Sequence, residues 1–318
     1  MTIQDRAIEW AYGAGWAMVR LMPERMAARL FRAGADRAFR KRGPATDRLA
    51  VNLRQVVGAQ MPDDEFDLVL RDALRSYARY WMEAFRAPTK TREQHRDGFA
   101  LINDGLDDLL GHTQAGQGVI LSLGHVANWD AAGAWVVANG MDLTTVAERL
   151  KPEGVYQKFL AYRRALGMEI LPLTGGDRNT LGVLTDRLRA GAVVPLLADR
   201  DFSQAGVEVD FFGQKTKMPP GPAILALRTG APMYVVNMWY EPDHCWGSLD
   251  LVPMPDPGSG PLNQRVRQMT QSMADRLAAG IAKHPADWHM LARMFTPPGE
   301  TDGDPETSKP AGEAAVTG

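Results

Sequence analysis

The chain has 318 residues, 45% of them hydrophobic, with 36 basic and 38 acidic side chains and a formal net charge of −2. That length supports a sizeable buried core, and that balance excludes wholesale disorder. The single cysteine, Cys245, excludes an intramolecular disulfide framework and accords with a reducing compartment.

Residues 1–42 carry nine Arg or Lys against four acids, a local charge of +5. Within them Ile3, Ala7, Trp10, Ala14, Met18 and Leu21 fall on one face of a helix. Met26, Leu30 and Phe31 continue an apolar face after Pro23, which suits the first turn of a second helix. A basic, Trp-bearing head of this kind lies on an anionic bilayer surface or packs as an ordinary helix pair, and the two readings are compatible. No run of apolar residues reaches the length of a membrane span, and with Asp5 and Glu9 the first residues lack a signal-peptide core.

A helix follows from Asp63 or Asp64, with Phe66, Val69, Leu70, Ala73, Leu74, Tyr77, Trp81 and Phe85 as its apolar stripe, and Pro88 ends it. Arg71, Arg75 and Arg79 share another face, expected to be solvated. From residue 118 the pattern alternates. Strands are expected over 119–123, 144–147, 169–173, 192–198, 207–212 and 233–240. Helices are expected over 128–138, 152–166, 219–229 and 262–284, with another capped by Asp177 and running to Ala190. This order predicts one α/β domain over residues 1–295, with a largely parallel central sheet flanked by helices. Residues 296–318 hold five acids and only Lys309 among Pro, Gly and Thr, and are expected to be a disordered acidic tail.

In such a domain chemistry gathers where strands end and helices begin. The first junction reads Leu121-Ser-Leu-Gly-His125-Val-Ala-Asn-Trp-Asp130, a histidine followed five positions later by an aspartate. As a bare spacing the pattern is nearly worthless; its place after a buried strand and a glycine is what singles out His125. Facing a helix N-terminus, the imidazole is expected to have a depressed pKa and to act as a neutral base, with first-turn amides steadying an oxyanion. The strand over 192–198 ends in Asp199-Arg200-Asp201, and Asp199 is placed to accept the imidazole's other N–H. The competing readings are a structural capping histidine and an Arg200 ion pair that merely closes a loop. No G-x-S-x-G accompanies the pair, and Cys245 reads as inert, so the substrate is expected to supply the attacking hydroxyl. Phosphate-cradling glycine motifs, metal-ligand spacings and a strongly basic nucleic-acid face are all missing from the sequence, so no metal and no nucleic-acid partner is expected.

H-x4-D after a strand resembles the signature of the glycerolipid and lipid A type acyltransferases. The segments GHVANWD, LLADRDFS, GVEVDFFG and MPPGPAILALRTGAP are similar to the lipid A biosynthesis branch. SYARYWMEAFR, VAERLKP, AYRRALGMEILPL and HPADWHMLARMF are most similar to the actinobacterial phosphatidylinositol mannoside acyltransferases. The resemblance spans roughly residues 5–295. It implies a peripheral enzyme on the cytoplasmic face of the plasma membrane, needing no cofactor. Such an enzyme moves a fatty acyl chain, typically palmitoyl, from acyl-CoA to the 6-hydroxyl of a mannose in a mannosylated phosphatidylinositol. His125 is then the base, and Asp199 its acidic partner where glutamate is usual in the mannoside enzymes. Asp130 braces the loop or the histidine. Glu148 lines the acceptor site, Arg163 lies near the donor, Arg228 meets a CoA phosphate, and His284 contacts the acceptor phosphate. Rival readings are another glycolipid acceptor, such as a lipid A precursor, and a non-enzymatic lipid-binding protein with the same apolar groove.

Overall fold

Two runs with almost no polar residue, Val119–Leu123 and Val193–Leu197, form neighbouring parallel strands in the centre of the structure. The computed structural model describes residues 13, 15–102, 105–148, 153–172, 179–201 and 206–295. The first half of the head helix, Asp177 and the acidic tail lie outside the described residues.

In chain order the helices are α1 (15–21), α2 (Glu24–Lys41), α3 (Pro44–Val57), α4 (Asp63–Arg86), α5 (Arg92–Asp97), α6 (Gly105–Gln114) and α7 (Trp129–Ala138). They continue as α8 (Glu153–Ala165), α9 (Thr180–Arg189), α10 (Gly221–Thr229) and α11 (Leu262–Lys283). The strands are β1 (Phe99–Leu101), β2 (Val119–Leu123), β3 (Thr144–Ala147), β4 (Glu169–Pro172), β5 (Val193–Leu197), β6 (Val207–Phe211), β7 (Gln214–Met218), β8 (Met233–Tyr240) and β9 (Cys245–Val252). The main sheet has the order β1-β9-β8-β2-β5, all parallel except the β8–β9 hairpin. A parallel β3–β4 pair continues it, since the amide of Val193 bonds the Asp142 carbonyl at 2.8 Å. Pro195, in register with Leu121, presents its carbonyl to the Thr145 hydroxyl of β3 at 2.6 Å.

The α/β reading with a largely parallel sheet therefore holds. The elements not expected from the sequence were α3, α5, α6, β1, the β6–β7 hairpin's second strand and β9. Asn179, rather than the expected Asp177, caps α9, accepting the Gly182 amide at 3.2 Å. Two arginines of the row on α4, Arg75 and Arg79, are tied down rather than solvated. Arg75 pairs with Asp36 of α2 at 2.6 Å, and Arg79 bonds Glu83 at 2.7 Å while lying 4.0 Å from the Tyr240 ring centroid.

The Arg75–Asp36 pair helps hold the head against the domain. Trp16 and Val19 are buried on α4, and the Trp16 indole N–H donates to the Phe85 carbonyl at 2.8 Å. Arg86 reaches back to the carbonyls of Val19 and Met22. The opposite face of the head carries exposed Met18, Leu21, Met26 and Leu30 beside exposed Arg25, Arg29 and Arg32. Packing and an apolar, basic outer face thus coexist in the same helices.

Candidate active site

The parallel register pairs Leu123 with Leu197, so His125 and Asp199 each stand two residues beyond paired strand ends. That alone brings them together. The His125 Nδ1 lies 2.7 Å from Asp199 Oδ1, and the His125 backbone N–H donates to Asp199 Oδ2 at 2.8 Å. The Trp288 indole N–H donates to the same Oδ2 at 3.0 Å. Since an ionised carboxylate only accepts, Nδ1 carries a proton and Nε2 is left as the basic nitrogen. Asp199 is completely buried, whereas the His125 side chain keeps 28% of its exposure. The base is therefore reachable and its partner is sealed from water.

The local backbone is shaped for this contact. Ala127 adopts a left-handed φ of 42°, and its N–H donates to the Asp287 carbonyl at 2.9 Å. An L-residue held there costs roughly 1–3 kcal/mol unless its surroundings enforce it, and the bond to the 285–288 turn does so. A Cβ on Gly124 would sit only 3.2 Å from Asp199 Oδ2, so a residue without one lets the carboxylate approach the loop.

Burial disfavours a charged His125, but the charge and hydrogen bond of Asp199 outweigh it, and the pKa is raised above the ordinary 6.5. This corrects the expected depression. Helix α7 starts at Trp129 with Asn128 as its cap, so His125 stands outside its first turn, while a full carboxylate is in contact. Burial works against the Asp199 carboxylate too, yet His125 and Trp288 hold its pKa below the usual aspartate value. The loop amides ahead of α7 are already engaged. Those of His125, Val126 and Ala127 bond Asp199, Gly124 and Asp287, respectively.

The aspartate of the H-x4-D spacing does not touch the histidine. Asp130 is 1% exposed and accepts from Arg163 Nε at 2.8 Å and from the Tyr80 hydroxyl at 3.2 Å. Arg163 in turn lies 4.3 Å from the Trp129 ring centroid. Asp130 thus ties α7 to α8 and α4, bracing the loop.

His125 opens on a cavity of about 1350 Å³. This exceeds the roughly 300–1,000 Å³ common for small-molecule sites. Glu148, Arg200 and His289 line it near the base, Arg163 and Asp201 line it as well, and most of the remaining wall is apolar. The wall runs past Leu121, Leu123 and Trp135 on the sheet side and past Trp16, Val19 and Phe31 of the head. Met18 and Leu30, both exposed, line it as well, so the cavity reaches the outer apolar face of the head. Arg228 and His284 are not among its lining residues. Arg228 is exposed at the end of α10, and His284 stacks on Trp239 with ring centroids 4.7 Å apart. Cys245 is buried, which pushes its thiol pKa up and keeps it protonated.

Sequence reasoning missed Ser76, Trp288 and His289. HPADWHMLARMF offered the signal, a Trp-His pair between a helix end and the apolar run MLARMF, but no periodicity assigns its side chains to a site.

The sequence profile described as bacterial lipid A biosynthesis acyltransferase matches residues 1–296. A relative from Mycolicibacterium smegmatis named phosphatidylinositol mannoside acyltransferase is 48% identical over 283 residues, 88% of each chain. A protein of the same name from Mycobacterium tuberculosis H37Rv is 46% identical over 293 residues, 91% of this chain and 89% of its own.

Proposed function

The chain belongs to the bacterial lipid A biosynthesis acyltransferase family, and from that premise we propose that it transfers a fatty acyl chain, palmitoyl foremost, from acyl-CoA to the 6-hydroxyl of a mannose in a mannosylated phosphatidylinositol. The observation that carries this reading is a buried-carboxylate/histidine pair at the wall of a large apolar cavity, with no serine or cysteine hydrogen-bonded to the histidine among the described residues. The relatives' names supply the acceptor.

In this mechanism His125 Nε2 takes the proton of the acceptor hydroxyl as its oxygen attacks the thioester carbon. Asp199 keeps the Nδ1–H tautomer and stabilises the imidazolium. The tetrahedral intermediate collapses with cleavage of the C–S bond, and the imidazolium returns its proton to the departing CoA sulfur. With the loop amides spent, the Arg200 guanidinium on the cavity wall is our assignment for the charge facing the oxyanion. Glu148 and Arg163 orient the two substrates from the same wall. The acyl chain occupies the apolar part of the cavity, at roughly 0.8 kcal/mol per buried methylene.

Arg228 and His284 keep only outer roles here, toward the nucleotide end of CoA and the acceptor phosphate. The exposed Met18, Leu21, Met26 and Leu30 rest on the cytoplasmic leaflet, and Arg25, Arg29 and Arg32 meet anionic lipid.

The test is transfer from radiolabelled palmitoyl-CoA to defined mannosylated phosphoinositides, with the product identified by mass. His125→Ala should abolish transfer in a protein that still unfolds cooperatively. Near-normal turnover would remove His125 from the mechanism, and product formed only with a lipid A precursor would refute the acceptor.

A further inference from the structure

Segment 285–292 is laid along the His125 loop and brings a second histidine into the cavity wall. The His289 backbone N–H donates to the His125 carbonyl at 2.7 Å, and Trp288 bridges to Val126 on the same loop. From α3, the Asn52 amide clamps the segment, donating to the carbonyls of Met290 and Ala292 at 2.8 and 2.7 Å. His289 lines the cavity beside His125 yet is only 8% exposed.

The protons on this ring follow from its partners. Asp287 accepts on both oxygens, from the Tyr240 amide at 2.9 Å and from the Ser76 hydroxyl at 2.5 Å. Ser76 has one proton, and it is committed to Asp287. The contact of Ser76 Oγ with His289 Nε2 at 2.8 Å must therefore be donated by the ring. Burial and the neighbouring His125 push the His289 pKa down to about 3, so the ring is neutral and Nδ1 is a bare acceptor. Among the described residues that nitrogen has no hydrogen-bond partner, although it is not one of the atoms wholly sealed from solvent. A mostly buried acceptor without a partner, on a residue of the cavity wall, is a demand for a ligand donor.

We propose that His289 determines acceptor specificity: its Nδ1 accepts a hydrogen bond from a hydroxyl adjacent to the one that reacts, so the enzyme selects a polyol over a simple alcohol. The reacting hydroxyl cannot fill this role, because its single proton goes to His125. A vicinal or near-vicinal hydroxyl of a sugar ring meets the requirement. The inference rests on the proposed transfer to a glycolipid; for a mannose acylated at its 6-position the partner is the 4-hydroxyl.

The experiment compares the mannosylated phosphoinositide with its 4-deoxymannosyl analogue, both with palmitoyl-CoA, in the full chain. Wild-type kcat/KM should fall about 10- to 100-fold on the deoxy acceptor, the effect of leaving a buried acceptor unpaired. His289→Leu should lose a similar factor on the normal acceptor, with a higher acceptor KM and an unaltered palmitoyl-CoA KM. It should also barely distinguish the two acceptors. His289→Asn, whose amide oxygen stands near the position of Nδ1, should recover much of the discrimination. A wild-type enzyme indifferent to the deoxy change overturns the assignment without any variant. So does a His289→Leu enzyme that still discriminates as the wild type does. Failure of the wild type to acylate either glycolipid would instead overturn the proposed function, and this inference with it.

Discussion

Replacing Asp199 by Asn changes one atom and should nearly silence the enzyme. Asp199 Oδ2 accepts two N–H groups, from the His125 backbone and the Trp288 indole, at 2.8 and 3.0 Å. Oδ1 accepts one, from the ring Nδ1, at 2.7 Å. An asparagine keeps its oxygen where two donors converge, which leaves its NH2 facing Nδ1. That nitrogen must then become an acceptor, and the ring proton moves to Nε2, the atom that has to receive the substrate's proton. The opposite amide orientation sets an NH2 group against two donors in a fully buried site, losing two hydrogen bonds at once. The tautomer error is worth about three to four orders of magnitude in kcat, as for a triad aspartate changed to asparagine. That corresponds to about 4–5 kcal/mol of activation free energy. The assay is palmitoyl transfer at saturating donor and acceptor, with unfolding followed in parallel. A folded Asp199→Asn enzyme within tenfold of wild type would refute the orientation argument and the role of the pair.

The rate should rise with pH through the His125 pKa, because only the neutral ring is a base. That pKa is raised by Asp199 against burial, so kcat/KM at pH 6.5 should be below half its plateau; a plateau already reached there would contradict it. The same shift has a stability sign: His125, raised on folding, stabilises the fold at pH below about 6.5, and that contribution disappears as pH climbs through the raised pKa. Asp130→Ala leaves the Arg163 guanidinium, only 12% exposed, without its carboxylate. It should cost about 3–5 kcal/mol in denaturant unfolding, and a loss under 1 kcal/mol would show that the pair is not structural. Leu21→Glu with Met26→Glu, at exposed head positions outside the cavity wall, should weaken sedimentation with anionic vesicles about tenfold or more. Equal sedimentation would take the head off the bilayer.

What the sequence disclosed and what it hid separate by range along the chain. His125 and Asp199 were legible because each follows a run of buried strand residues, and parallel neighbours place equivalent ends side by side. The same logic cannot reach Ser76, Trp288 or His289. They enter the site from mid-helix and from a turn after α11, through contacts spanning about 90 to 210 residues of sequence. β9 was hidden for another reason. It returns antiparallel from β8 after a tight turn at Glu241–His244, and Gly247, packed against Phe99, breaks the run of side chains that would have marked a strand. The pKa of His125 was misjudged because the helix end was weighed above the carboxylate: strand order brings Asp199 to the ring, but the 2.7 Å contact that decides the balance is seen only in the fold.

The resemblance to the mannoside enzymes leads one to expect glutamate at the place of Asp199, which is one methylene shorter. The shorter aspartate reaches the ring because the loop comes to it: Gly124 has no side chain to hold Asp199 Oδ2 away, and Trp288 caps the same oxygen from the other strand of contacts. With no exposed surface at Asp199, an added methylene has nowhere to go without moving one of these neighbours. Asp199→Glu should therefore lower unfolding free energy by about 1–3 kcal/mol, the cost of overpacking, while keeping a carboxylate acceptor at Nδ1. Its transfer rate should stay within roughly tenfold of wild type, far above that of Asp199→Asn, since the tautomer is preserved. The two substitutions thus pull apart stability and chemistry at one position. If Asp199→Glu proved as inactive as Asp199→Asn at unchanged stability, then the position of the carboxylate rather than its charge would control the ring, and the account of Gly124 given above would fail.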